Sequence, residues 1–173
     1  MTEGFAHQLR LDQIGGGERL DLVADDEERL EIQRRLGLES LDRLEAHVAL
    51  GRDGERIEAE GRLTASLGQS CVVTGDPVAA HVDQPFRLVF VPESQAGEAD
   101  DEIELRAEDC DVVFYEGGKI DLGSAIADTL ALSLDPYPRS AGAQAALKEA
   151  GVLSEAETGP FAALAKLRKG DDS

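Results

Sequence analysis

The sequence predicts an α+β fold: a largely antiparallel sheet, barrel-like if it closes, with one or two packed helices and a flexible C-terminal segment. Three observations carry this. Residues 43–67 alternate apolar and polar about an Asp-Gly turn, residues 122–134 repeat an apolar side chain at every fourth position, and from residue 140 the chain becomes rich in Ala and Gly. At 173 residues the chain suits one folded domain, spanning 1–139, followed by a tail at 140–173. Hydrophobic residues make up 42% but aromatics only 4%, with no Trp, so the core must be built from Leu, Val, Ile and Ala around Phe5, Phe86, Phe90 and Phe114.

The elements follow in chain order. Phe5 to Leu11 alternates in part, and Arg19 to Val23 follows Gly15-Gly16-Gly17, which reads as two strands joined across a glycine turn. Asp25 stands as a helix N-cap with Glu28 three residues on, acids fill the first turn, Arg34 and Arg35 the last, and Gly37 follows; this predicts a helix over 26–36. Leu44, Ala46, Val48 and Leu50 then point one way, and after Asp53-Gly54 the alternation resumes with Ile57, Ala59, Leu63, Ala65 and Leu67. A turn at Gly75-Asp76-Pro77 leads to a strand over Val78 to Val91, interrupted at Pro85 because proline removes a ladder donor.

Between Pro92 and Asp111 nine acids stand against one Arg106, which predicts an acidic mobile loop over 93–111. Val112 to Tyr115, a turn at Glu116-Gly117-Gly118 and Lys119-Ile120 then feed a helix over 122–133, capped near Asp121, with Leu122, Ile126, Leu130 and Leu134 on one buried stripe. Asp135-Pro136-Tyr137-Pro138 stops that helix. In the tail, 143–150 and Pro160 to Lys169 are short amphipathic helix candidates, the second with Phe161, Leu164 and Leu167 on one face.

The net charge of −19 disfavours broad binding to naked nucleic acid, because a phosphate-binding surface needs an excess of Lys and Arg. A basic protein surface is the better match. The N-terminus lacks the apolar stretch of a signal peptide, and no run is long enough to span a bilayer. Two cysteines, Cys71 and Cys110, without a Cys-x-x-Cys pair, give neither a disulfide framework nor a thiolate zinc site. A cytoplasmic location is expected.

No catalytic or metal site emerges, and no cofactor or small-molecule substrate is implied. His47 falls on the polar face of a strand, and His7 and His81 have no nearby Ser, Cys or carboxylate in a recognisable local arrangement. Gly15-Gly16-Gly17 lacks the Lys-Ser/Thr of a phosphate loop and opens a strand, so it reads as a turn. Cys71 begins an apolar run and reads as a small buried hydrophobe.

Several stretches, in order along the chain, carry a family resemblance. They include Leu38-Glu39-Ser40-Leu41, Gln69-Ser70-Cys71-Val72-Val73-Thr74 followed by Pro77-Val78, and Pro85-Phe86-Arg87-Leu88-Val89-Phe90-Val91-Pro92-Glu93. They continue with Gly118-Lys119-Ile120-Asp121-Leu122-Gly123, Leu130 to Arg139, and Pro160-Phe161-Ala162-Ala163-Leu164-Ala165-Lys166-Leu167. Together they resemble the alphaproteobacterial branch of the YceD-like family of large ribosomal RNA subunit accumulation proteins, a former domain of unknown function. The resemblance implies a role in accumulation, processing or stability of large-subunit ribosomal RNA, with no established enzymatic activity, and the chain is expected not to be an enzyme. Many relatives resemble a metal-binding pattern with a Cys-x-x-Cys at Cys71; here Thr74 stands where the second cysteine would fall and the tail has none, so zinc does not carry over.

The expected partner is a basic ribosomal or ribosome-assembly protein, with ribosomal RNA reached indirectly. The candidate binding residues are the acids Glu98, Asp100, Asp101, Glu102, Glu104, Glu108, Asp109 and Asp111, and in the tail Phe161, Leu164, Lys166, Leu167 and Arg168. Two other readings stand beside this one: direct RNA contact through Arg34-Arg35 or Lys166, Arg168 and Lys169, and an RNA-processing nuclease, for which the sequence offers no ordered carboxylate cluster.

Overall fold

Alternation of apolar and polar side chains forces the central strands to bury one face and wet the other, and the computed structural model shows this in a six-stranded sheet. It describes residues 2–3, 5, 8–95 and 111–152. The strands are β1 (Thr2–Glu3), β2 (Gln8–Arg10), β3 (Glu18–Val23), β4 (Ser40–Asp53), β5 (Arg56–Ser70), β6 (Pro77–Pro92), β7 (Asp111–Tyr115) and β8 (Lys119–Asp121). The helices are α1 (Asp26–Leu36), α2 (Leu122–Ser133) and α3 (Ala143–Glu149). The main sheet runs β1-β3-β4-β5-β6-β7, and β2 pairs with β8 in a separate two-stranded ladder.

The α+β fold expected from the sequence is present, and its sheet is mostly antiparallel. β3 and β4 pair antiparallel, as do β4 and β5, whereas the outermost strands β1 and β7 pair parallel with their neighbours. Side-chain contacts fix the sense of β5 against β6: Ser66 meets His81, Arg62 meets Asp83 and Glu58 meets Arg87, so one number falls as the other rises. With β1 and β7 as edges, the sheet is open among the described residues and does not close into a barrel.

Four local outcomes differ from the pattern reading. The segments around Leu9 and Arg19–Val23 do not form a hairpin, because Leu9 pairs with Ile120 while β3 pairs with β4. β4 begins earlier than its alternation suggests: a register shift between Leu41 and Arg43 resets the phase, so that Leu41 and Leu44, three apart, are both buried. β6 runs unbroken through Pro85; among the described residues β7 pairs only with Leu88–Pro92, so on that side the earlier part of β6 has no ladder that would need the missing donor. Phe114 is 48% exposed and Tyr115, at 8%, takes the inward position beside it.

The helices form where the caps specify. The Asp25 carboxylate accepts from the Glu28 amide and the Glu28 carboxylate accepts from the Asp25 amide, both at 2.9 Å. At the other end Gly37 takes φ +64°, and the Leu38 amide donates to the Gln33 carbonyl at 3.0 Å. Asp121 caps α2 by accepting from the Ser124 amide at 2.9 Å. Leu122, Ile126 and Leu130 are fully buried, and they join Phe5, Leu9, Ile120 and the inner faces of β3 to β6 in one core cluster. Each such Leu or Ile contributes about 1.5–3 kcal/mol.

The chain divides into two compact units, 1–69 with 79–136, and 70–78 with 137–173. The first holds the sheet, α1 and α2. Within the second, the 71–76 turn is closed by the Cys71 amide donating to the Asp76 carbonyl at 2.7 Å, and the Val72 amide donates to the Pro138 carbonyl at 2.9 Å.

One position shows how tightly β4, β5 and β6 fit. A Cβ at Gly61 would lie 2.1 Å from the His47 carbonyl oxygen and 3.0 Å from Cζ of Phe86. Gly61→Ala is expected to destabilise the fold by about 1–3 kcal/mol in urea denaturation, whereas Gly15→Ala, with nothing within 4 Å, leaves the midpoint nearly unchanged.

Candidate functional site

Most of the residues singled out from the sequence fall outside the described residues: Glu98, Asp100, Asp101, Glu102, Glu104, Glu108 and Asp109, and in the tail Phe161, Leu164, Lys166, Leu167 and Arg168. Asp111 is described. It is exposed at the start of β7, opposite Leu88.

The outer face of the sheet mixes both signs. Arg19, Arg43, Arg56, Arg62 and Arg87 share it with Asp21, Glu45, Asp53, Glu58, Glu60 and Asp83, so it carries little of the chain's net charge of −19 and no basic excess. Arg62 donates to Asp83 at 2.6 Å and Arg43 to Glu45 at 2.6 Å, and each pairing holds its carboxyl below the usual range. His47 lies on the polar face as expected, with Nδ1 2.6 Å from the Asp21 carboxylate, which lowers the Asp21 pKa. Exposed pairs of this kind add little stability. His81 Nδ1 lies 3.3 Å from Ser66 Oγ, a neighbour that only strand pairing reveals. Both histidines are exposed on a flat face, away from the enclosed setting that general acid–base work uses.

The Cys71 turn is a polar construction. Cys71 is buried, yet its Sγ accepts from the Ser140 amide at 3.3 Å and the Thr74 amide at 3.5 Å. Thr74 Oγ1 in turn reaches the Asp76 carboxylate at 2.7 Å and Ser140 Oγ at 3.2 Å. The Ser140 amide, followed by Thr74, brings the thiol down to about 6. One sulfur with two hydroxyls does not make the nitrogen and sulfur donor set that zinc prefers, so the turn does not suit that metal.

Among the described residues of the larger unit, two concave sites stand out. The first, a cavity of about 160 Å³ between α1 and α2, is floored by Phe5, Ile32 and Ala127 and rimmed by Glu28, Glu31 and Asp121. Arg35 closes one end: it donates to Ser124 Oγ at 3.1 Å and forms an ion pair with Asp128. Glu28 also accepts from the Phe5 amide at 3.0 Å, so the helix cap and the cavity floor share a carboxylate. The second is an open groove of about 680 Å³ beside Tyr115, Pro92 and the Gly117-Gly118 turn, with Glu93 and Glu116 at its mouth. Their hydrogen bond and mutual repulsion raise the Glu93 pKa, and the buried Tyr115 hydroxyl donates to the Glu55 carbonyl at 2.6 Å.

The family model described as large ribosomal RNA subunit accumulation protein YceD matches residues 59–168, more than half of the chain. The chain belongs to the YceD family. No curated protein and no solved structure gives a match. The YceD match runs from Ala59 in β5 and takes in the Cys71 turn and α2, with the Asp121, Ser124 and Ala127 side of the cavity; α1 lies ahead of it. The family is described by accumulation of an RNA, not by a reaction. Among the described residues no helix is long and apolar enough to cross a membrane.

Sequence reasoning missed both concave sites, since each draws on residues far apart in the chain. The one local signal was Asp121, read as a cap. Arg35, considered from the sequence as a phosphate contact, donates to Ser124 and pairs with Asp128 at the surface.

Two titrations test this description. In a Cys110→Ser background the ultraviolet thiolate absorbance of Cys71 is expected to titrate with a midpoint at about 6, against about 8.5 for an unperturbed thiol. Because the folded pKa is depressed, the linked stability is fully present above the unfolded thiol's pKa and is lost as pH falls through the folded value. An ordinary midpoint would show that the two amides do not hold the charge. At Glu93 the sign is reversed: its pKa is raised, so stability is lost as pH rises through it. Glu93→Gln should therefore raise the melting temperature at pH 7 and give no gain at pH 4.

Proposed function

We propose that this protein supports accumulation of large-subunit ribosomal RNA as a non-catalytic cytoplasmic factor that holds a basic ribosomal or ribosome-assembly protein. The observation that carries the reading is the charge distribution within a member of this family. The net charge is −19, and on the outer sheet face the arginines do not outnumber the acids, Arg43, Arg56, Arg62 and Arg87 being paired with Glu45, Glu58 and Asp83. A phosphate backbone would find no basic excess there, and Arg35 is already committed to Asp128. A cationic protein surface would meet unpaired carboxylates instead, of which Glu31 is one among the described residues. In this reading the RNA accumulates because its protein partner is kept soluble and delivered.

A tagged pull-down from cells at about 0.1 M and about 1 M salt, with and without ribonuclease, tests it. Screening shortens from about 10 Å to about 3 Å over that range. The expected outcome is recovery of a basic ribosomal or assembly protein that survives ribonuclease and is lost at high salt. Large-subunit RNA that crosslinks directly to this chain would overturn the reading in favour of a local basic patch.

A further inference from the structure

We propose that the cavity between α1 and α2 is the seat for a lysine or arginine side chain presented by a basic partner segment. The inference rests on the adaptor reading for its source of partner and adds the point of contact.

Size, lining and charge argue together. At about 160 Å³ the cavity is close to the ~150 Å³ that accepts a benzene-sized group, so it fits one side chain and not a nucleotide. Its floor is apolar and buried: Phe5 and Ala127 are each 1% exposed and Ile32 9%. Such a floor suits the methylene stem of a long cationic residue, whose head stays at the wet rim. At that rim stand Glu31 and Asp121, with Glu28 beside them. Glu31 has no hydrogen-bond or ion-pair partner among the described residues, and the single cation at the site, Arg35, is cancelled by Asp128. An anion would therefore be repelled. An uncharged apolar group would bury carboxylates without compensation, at a substantial desolvation penalty.

The walls are also set before a partner arrives. α1 is capped at both ends, Glu28 ties it to Phe5, and Arg35 ties it to the first turn of α2. A preformed seat loses little conformational entropy on binding.

The test uses the full-length chain and octalysine as the probe, followed by amide chemical shifts in nuclear magnetic resonance at low salt. Shifts are expected to concentrate at Glu31, Ile32, Ser124 and Ala127. Two charge-matched reversals separate a seat from general attraction: Glu31→Lys at the rim and Glu60→Lys on the outer face of the sheet. Glu31→Lys should weaken octalysine binding about fivefold or more relative to Glu60→Lys, as expected when one half-exposed attraction becomes a repulsion. Equal effects of the two reversals, or shifts confined to other residues, would overturn the proposal. So would cleft shifts produced by a short RNA oligonucleotide in place of octalysine. Failure of the seat and failure of the adaptor reading are distinguishable. If the pull-down recovers the same basic protein with wild type and Glu31→Lys alike, the seat falls and the adaptor stands. If wild type recovers none, the adaptor falls while the octalysine titration still decides the seat.

Discussion

The close approach of three strands at Gly61 is the constraint on which the rest of the structure depends. With no side chain there, the His47 carbonyl and the Phe86 ring fill the space a Cβ would need, and β4, β5 and β6 keep their spacing. The alternation on either side then sends Leu44, Ala46, Val48, Leu63, Ala65, Phe86 and Leu88 to one face. That face must be covered. The stripe of Leu122, Ile126 and Leu130 on α2, with Phe5 and the Leu9–Ile120 pair, joins the same core. Since Asp121 both ends β8 and caps α2, covering the sheet also fixes where the first turn of α2 lies, and so one wall of the acidic cavity.

What was legible in the sequence was local and periodic. The β4–β5 hairpin over 43–67, the capping box and Gly37 of α1, and Leu122, Ile126 and Leu130 of the α2 stripe each follow a pattern within a few residues and appear where it puts them, whereas Leu134 lies past the helix end and is half-buried. What was not legible depends on distant pairings. The parity of Leu9 gives no sign that its partner is Ile120, 111 residues on. The Leu41–Leu44 spacing looks like lost alternation until the register shift explains it. Pro85 ends a strand only where a ladder needs its donor, and sequence does not say which strands lie at an edge. For Phe114, hydrophobicity pointed inward while strand parity, with Tyr115 next to it, placed it outward.

The densest run of acids in the sequence, at 98–111, lies outside the described residues except for Asp111. For the described carboxylates, position along the chain does not give the surroundings, because a carboxylate matters by what stands beside it in space. On the sheet face Asp21, Glu45 and Asp83 are spent on His47, Arg43 and Arg62. At the α1–α2 cavity Glu31 stands next to an apolar floor with no partner among the described residues. The same logic separates Cys71 from a plain core residue: its burial was legible, but the amides that hold its sulfur come from Thr74, nearby, and Ser140, 69 residues away.

The proposed mode of holding has a kinetic consequence suited to assembly. Long-range attraction between an acidic protein and a basic one raises the association rate more than it strengthens the final complex. A single side chain seated in a small cavity adds direction without a large buried area, and complexes of that kind exchange through fast dissociation. RNA presents a dense array of negative charge, with a phosphate on every nucleotide. A basic protein carried on a modest acidic seat is therefore released wherever RNA outcompetes the carboxylates. Transfer needs no catalytic step, and its direction is set by the difference in charge density between carrier and destination.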